Sequence, residues 1–241
     1  MDWQDHRRDA HGLGRTQEFL KQIIYGGNDG IVTTFAIVAG FAGAQAQGVV
    51  QIGGLAVLVF GLANLFADAV SMGLGEFLSL RSQHDLYRKR RRSELREIAE
   101  NPSQERTELF EILRQRGVPP GEADTVTGLL ARHPEIMADL MMTYEFGMAN
   151  PEDESPAVSG LFTFFSFVVF GAIPILPYFF LDPGRSTFWL SVLTTFIALV
   201  ALGLLRWNAT DEPIARSVGE TVLVGTVCAV VAYGVGHMVA G

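Results

Sequence analysis

The sequence predicts an all-α membrane protein with five transmembrane helices and a small helical cytoplasmic domain inserted between the second and third. Three observations predict it. First, Asp, Glu, Lys and Arg are absent from Gly30 to Ala67, from Ser155 to Leu181, from Ser186 to Leu205 and from Thr221 to Gly241. Each run can cross a hydrocarbon core of ~30 Å, which takes about 20 helical residues. Second, nearly all polar sequence is collected in one block, 81–154. Third, the basic clusters fall on one side of a five-span arrangement. A chain of 241 residues, 49% hydrophobic and so distributed, is not a water-soluble globule.

Residues 1–21 form a polar N-terminal segment. They contain no apolar core, so no cleavable signal peptide is expected. The run 30–67 is too long for one helix, and Gln45, Gln47, Gly48 and Gln51 mark a turn within it. The first helix is expected at about 22–45 and the second at about 51–80, so that residues 22–80 hold helices 1 and 2. Residues 81–156 form the insert and residues 157–241 hold helices 3 to 5. The third helix, about 158–181, contains Pro174 and Pro177 and should kink. Asp182-Pro183-Gly184-Arg185 makes a turn before the fourth helix, about 186–206. The fifth runs from about 216 to 239.

Within the insert, residues 81–100 continue the second helix as a stalk. Asn101 is a candidate N-cap, with Pro102 at the first helical position and Gln104 three residues after the cap. That helix should end near Arg116, before Gly117 and Pro119-Pro120. Two more short helices fit, at about 121–132 and 134–148, and residues 149–156 read as a solvated linker.

Orientation follows from positive charge. Arg7, Arg8, Arg15 and Lys21 precede the first span, the Arg88–Arg92 cluster follows the second, and Arg206 and Arg216 flank the loop between the fourth and fifth. Five spans put all of these on one side, the cytoplasm, and leave Arg185 alone opposite. The N-terminus and the insert are then cytoplasmic and the C-terminus outside. The 88–92 stretch is expected at anionic headgroups.

The net charge of −8 conceals a balance of −9 over residues 94–154. An acidic block repels phosphate, which disfavours nucleic acid as a partner and favours cations. The single Cys228 excludes a disulfide framework and a thiolate metal cluster. Zinc hydrolase motifs, nucleophile elbows and phosphate-cradling loops are absent, so no enzyme is indicated. A diiron oxidase would want Glu-x-x-His, and no Glu here is followed by His at that spacing.

Acids at membrane depth default to functional candidates. Asp29, Asp68 and Glu76 qualify. Asn64, Asp68, Met72 and Glu76 form an i, i+4 ladder on one helix face, with Asp68 and Glu76 roughly 12 Å apart along the axis. Carboxylates with a thioether shift preference from Mg²⁺ or Ca²⁺ toward softer first-row ions such as Fe²⁺. Buried carboxylates bind protons more tightly, so cation and proton displace one another, the physical basis of exchange. Competing readings are a helix cap or interfacial position for Asp29, packing for Met72, simple hydration for Glu76 and a structural hydrogen bond for Asp68.

In the insert, Glu94-x-x-Glu97 and Glu105-x-x-Glu108 each share a helix face, and Met141 and Met142 precede Glu145 by four and three residues. If these helices pack together, five carboxylates and two thioethers converge. The competing reading is a solvated Glu face beside a core Met pair.

DGIVTTFAIVAG (29–40) followed by ANLFADAVSMGLGEFLS (63–79) resembles the paired first- and second-helix signature of the vacuolar iron transporter family. The resemblance covers essentially the whole chain. It implies a homodimer in a lipid bilayer, exporting Fe²⁺ and similar divalent ions from the cytoplasm in exchange for protons, with no prosthetic group. Glu94, Glu97, Glu105, Glu108, Met141, Met142 and Glu145 match its metal-binding positions in order and spacing. Asp29 and Met72 are implied to line the path at the dimer interface with Glu76 nearby, and Glu18 resembles an acid at the cytoplasmic entrance. The variant with a fused ferritin-like domain is not expected, and the short termini favour a bacterial plasma membrane over a vacuolar one. A membrane-anchored metal buffer or sensor without flux, and a passive cation channel, are the alternative functions.

Overall fold

The structure is a computed structural model that describes residues 19–46, 54–151, 154–210 and 212–240. Its elements are α1 (Leu20–Ala46), α2 (Gly54–Glu100), α3 (Pro102–Gln115), α4 (Pro120–Leu130), α5 (Pro134–Tyr144), α6 (Pro156–Ala172), a 3-10 turn (Ile173–Ile175), α7 (Pro177–Phe180), α8 (Arg185–Thr210) and α9 (Ile214–Ala240). No strand occurs among the described residues. The turn expected at Gln47, Gly48 and Gln51 lies outside them.

The chain divides into two compact units. One comprises the described residues up to Phe77 together with those from Ala157 onward; the other is Leu78–Pro156. Among the described residues, four helical stretches are long and apolar enough to cross a membrane: Gly54–Glu100, Pro156–Ile175, Arg185–Thr210 and Ile214–Val239. Helix α1 has the length of a span, 27 residues, but Asn28, Asp29 and the glycines around them dilute its apolar character. The helices of this unit expose large apolar side chains, among them Phe60, Leu74, Phe165, Trp189 and Val230. Such a surface is stable only in apolar surroundings.

Inside the unit, Phe35 and Val38 of α1 pack with Val57, Leu65 and Ala69 of α2 and with Phe167, Ile175 and Tyr178. A second cluster joins Ile31 to Ala198, Leu199 and Leu202 of α8. The prolines act as the sequence predicts: α6 stops at Ala172, passes through a 3-10 turn and resumes at Pro177. Ser191 Oγ donates to the Pro174 carbonyl at 2.6 Å, giving that carbonyl a partner at the break. Close approach of α2 and α6 depends on two glycines. A Cβ on Gly160 would lie 2.6 Å from the Gly73 carbonyl oxygen, and one on Gly73 would lie 2.9 Å from that of Gly160.

The second unit is built on the last part of α2, which continues without a break to Glu100. Its buried residues His84, Tyr87, Glu94 and Ile98 lie on one stripe, spaced by three, seven and four. Ile98, Leu109, Met137, Ala138 and Met141 form its core. Pro102 opens α3, but the Asn101 side chain makes no capping hydrogen bond; its carbonyl oxygen accepts from the Gln104 and Glu105 amides instead. Gly117, at φ 91°, ends that helix in the left-handed region that favours glycine. Arg91 ties α2 to α5 by ion pairs to Asp139 at 2.6 Å and Glu135 at 2.7 Å. Arg90 stacks over Phe146 at 4.0 Å. Two members of the basic stretch expected at headgroups are therefore engaged inside this unit.

Gly160→Val should destabilise the detergent-solubilised protein by about 1–3 kcal/mol of overpacking, read as a lower melting temperature. Gly219→Ala should not, because a Cβ there meets nothing within 4 Å. Equal effects in a thermal scan would show that the α2–α6 contact does not limit stability.

Candidate metal centre

The ladder on α2 is present. Asn64, Asp68, Met72 and Glu76 are all half-buried and recur every fourth residue on one continuous helix. Asn64 Nδ2 donates to Asp68 Oδ2 at 2.6 Å, so Asp68 has a local amide partner. Asp29 is half-buried on α1 and close enough to Asp68 for their charges to interact. It lies well inside α1, and its carbonyl oxygen accepts a hydrogen bond from Thr33 Oγ1, so it is not a helix cap. Met72 packs at the edge of the apolar core formed by α1, α2 and α6.

Glu76 is not simply hydrated. Its side chain is 14% exposed, and its Oε1 lies 3.4 Å from Lys21 Nζ and 3.3 Å from Gln22 Nε2. Both partners come from the first turn of α1. Glu18 lies outside the described residues.

In the second unit the structure brings Glu94 of α2 and Glu105 of α3 together. Their carboxyls are hydrogen bonded to each other, and they are only 2% and 3% exposed. Glu94 Oε1 and Glu105 Oε2 are buried without any hydrogen-bond partner. Burial, then the neighbouring Glu105, Glu145 and Glu97, push the Glu94 carboxyl up to about 8. Burial likewise raises Glu105 and Glu145, and Glu108 adds to both. Two buried carboxyls in contact cannot both be ionised without a counter-charge, so they share a proton in this state.

The remaining candidates divide. Glu97 accepts from Ser93 Oγ at 3.2 Å and Glu108 from Gln104 Nε2 at 2.9 Å, each partner one turn earlier on its own helix. Glu145 is exposed at the end of α5 but feels Glu94, Glu105, Glu108 and Glu97. Met141 and Met142 are fully buried, and Met141 belongs to the core with Leu109 and Ile98. Among the described residues, no three His, Cys, Asp or Glu side chains are grouped as a ready-made metal site. The carboxylates gather in one region with their side chains in a proton-sharing rather than a chelating arrangement.

The fold and these sites define a helical membrane protein with buried acids in its membrane unit and again in its polar one. A family model described as the VIT family matches residues 20–237. "Vacuolar iron transporter 1" of Eucalyptus grandis is 32% identical over 235 residues, covering 98% of this chain and 91% of that protein. "Vacuolar iron transporter 1" of Oryza sativa subsp. japonica is 33% identical over 222 residues, 92% of this chain and 86% of that one. "Vacuolar iron transporter" of Plasmodium falciparum is 33% identical over 218 residues, 86% and 78%. The chain belongs to the VIT family.

Spacing alone missed two partners, Lys21 and Gln22 on Glu76, whereas the approach of Glu94 to Glu105 falls within the convergence expected if the insert helices pack together. Each is a contact between helices, for which the sequence carries no local signal.

The raised Glu94 carboxyl has a consequence for stability. Unfolded, the group ionises near 4.5; folded, it keeps its proton to about 8. The folded state binds the extra proton between those values, so stability falls as pH rises across them. In chelator-treated protein, Glu94→Gln should raise stability at pH 8 by roughly 1–3 kcal/mol and leave it unchanged at pH 5. A melting-temperature difference independent of pH would contradict the proton-sharing arrangement.

Proposed function

We propose that this protein transports Fe²⁺, and other first-row divalent cations, out of the cytoplasm in exchange for protons. The observation that carries the reading is the pair Glu94–Glu105, whose outward oxygens are buried with no donor. A buried acceptor without a partner costs about 1–3 kcal/mol, more when charged, and a divalent cation would relieve it while expelling the shared proton. Membership of the VIT family, with relatives named vacuolar iron transporters, supports iron as cargo.

Capture falls to Glu94, Glu97, Glu105, Glu108, Met141, Met142 and Glu145. Closing a chelate requires the Glu97 and Glu108 side chains to leave Ser93 and Gln104, a rotamer change on exposed or half-exposed faces. Passage falls to Asp29, Met72 and Glu76, with Asp68 beside Asp29, and Glu18 serves the entrance. Helix α1 supplies the fifth span. The protein works as a homodimer in the membrane, with its N-terminus and residues 81–156 in the cytoplasm and its C-terminus outside. It acts as a carrier rather than an enzyme.

Reconstituted in sealed vesicles, the protein should accumulate Fe²⁺ or Mn²⁺ against a concentration gradient when a pH difference is imposed. Stoichiometric binding without accumulation would make it a buffer or sensor, and an end-point indifferent to the proton gradient would make it a channel. Asp29→Asn and Met72→Leu should each cut the initial rate by at least about tenfold, the loss of one ligand interaction. Glu94→Gln should weaken metal capture while sparing transport at saturating metal. Wild-type rates in both membrane variants would remove the assigned path.

A further inference from the structure

Glu76 shares its environment with two residues that no site assignment includes. Lys21 and Gln22 are consecutive on α1, and both reach the same oxygen, Glu76 Oε1, at 3.4 and 3.3 Å. These are long contacts, at the weak end of hydrogen bonding. The two partners differ in kind. The Lys21 side chain is 70% exposed, on a flexible stem. Gln22 is 5% exposed, and its Oε1 is buried without a hydrogen-bond partner while its Nε2 faces the carboxylate.

An unpartnered amide oxygen on a buried side chain beside a mostly buried carboxylate is an incomplete arrangement. Among the described residues no donor completes it, because Lys21 serves the carboxylate and leaves the amide oxygen bare. A divalent cation would complete it, since such ions take carboxylate and amide oxygens together, and a flip of the Gln22 amide about its last torsion exchanges nitrogen for oxygen on the side facing Glu76. The ammonium is the weaker occupant: one charge, exposed, loosely placed.

We propose that Glu76 and the Gln22 side-chain oxygen form a cation station at this end of the membrane unit, and that Lys21 is a tethered cation occupying it until a divalent ion displaces it. Lys21 thereby keeps Glu76 neutralised between passages and sets a threshold for entry. Gln22 is the added ligand and Lys21 the specificity-determining residue. The proposal rests on the transport reading above for its role, but the station exists or not independently of flux.

The test uses the full chain, with Mn²⁺ as probe, in two measurements: initial uptake into vesicles and equilibrium Mn²⁺ titration of the solubilised protein. Lys21→Met should lower the apparent KM about three- to fivefold and tighten Mn²⁺ binding by a similar factor, the scale of an exposed ion pair. Lys21→Arg, which keeps the charge, should restore the wild-type value. Gln22→Leu, similar in size but lacking the oxygen, should raise KM about tenfold in both the wild-type and Lys21→Met backgrounds. An unchanged or higher KM in Lys21→Met, or no effect of Gln22→Leu in a protein with an unchanged melting temperature, would overturn the proposal. If Gln22→Leu fails to fold, the Lys21→Met and Lys21→Arg pair decides alone. If the wild type accumulates no metal, the transport reading falls and the Mn²⁺ titration still decides the station.

Discussion

A carboxylate removed from water must be neutralised, and this requirement organises the molecule. Burying an isolated carboxylate costs more than folding can supply, so a proton, a cation or a donor has to accompany it. Four of these acids have companions of three kinds. Asp68 takes the Asn64 amide, Glu76 takes Lys21 and Gln22, and Glu94 and Glu105 take each other. None of these companions is a tight, bidentate ion pair, which is what the proposed exchange with a metal ion requires. Arg91 with Glu135 and Asp139, at 2.6 to 2.7 Å, shows the contrasting case, a pair that fastens two helices.

The helices supply the rigidity that holds these acids in place. Helix α2 runs 47 residues and carries the Asn64-to-Glu76 ladder in its first half and Glu94 near its end. An i, i+4 row on a continuous helix fixes the order and spacing of its side chains whatever its neighbours do. Glycines at the α2–α6 contact bring backbones together where lipid offers no hydrophobic drive, so packing has to come from close approach. The apolar side chains that face outward on α2, α6, α8 and α9 then match the surroundings rather than strain against them.

What was legible in the sequence was periodic or compositional. The uncharged runs mark the long helices, Pro174 and Pro177 mark the break after α6, and Asn101-Pro102 and Gly117 mark the ends of α3. The α2 ladder was legible because one helix determines it. In the insert, spacing placed Glu94 with Glu97 on one face and Glu105 with Glu108 on another and made their convergence conditional on packing, and packing joins Glu94 to Glu105 across two helices. Burial also separates residues that spacing treats alike: Glu94 and Glu105 are enclosed while Glu97 stays in solvent, and Met141 is core before it is anything else. Helix α1 shows the limit of composition, since Asp29, one of the residues that lower its hydropathy, is also the one that lies close to Asp68.

The proton-sharing arrangement in the insert and the lysine-occupied one at Glu76 answer the same problem with different chemistry. A shared proton makes a site sensitive to pH, because the cation has to expel it. A tethered ammonium makes a site sensitive chiefly to the charge of the incoming ion, because an alkylammonium stays protonated throughout the physiological range. On the proposed exchange, proton sensitivity is assigned to the acids of the insert that share a proton, Glu94 with Glu105. Glu76 is paired with a lysine and a glutamine instead, the arrangement on which the proposed cation station rests. The division of labour follows from which acids the fold gave a permanent cation and which it left to find a transient one.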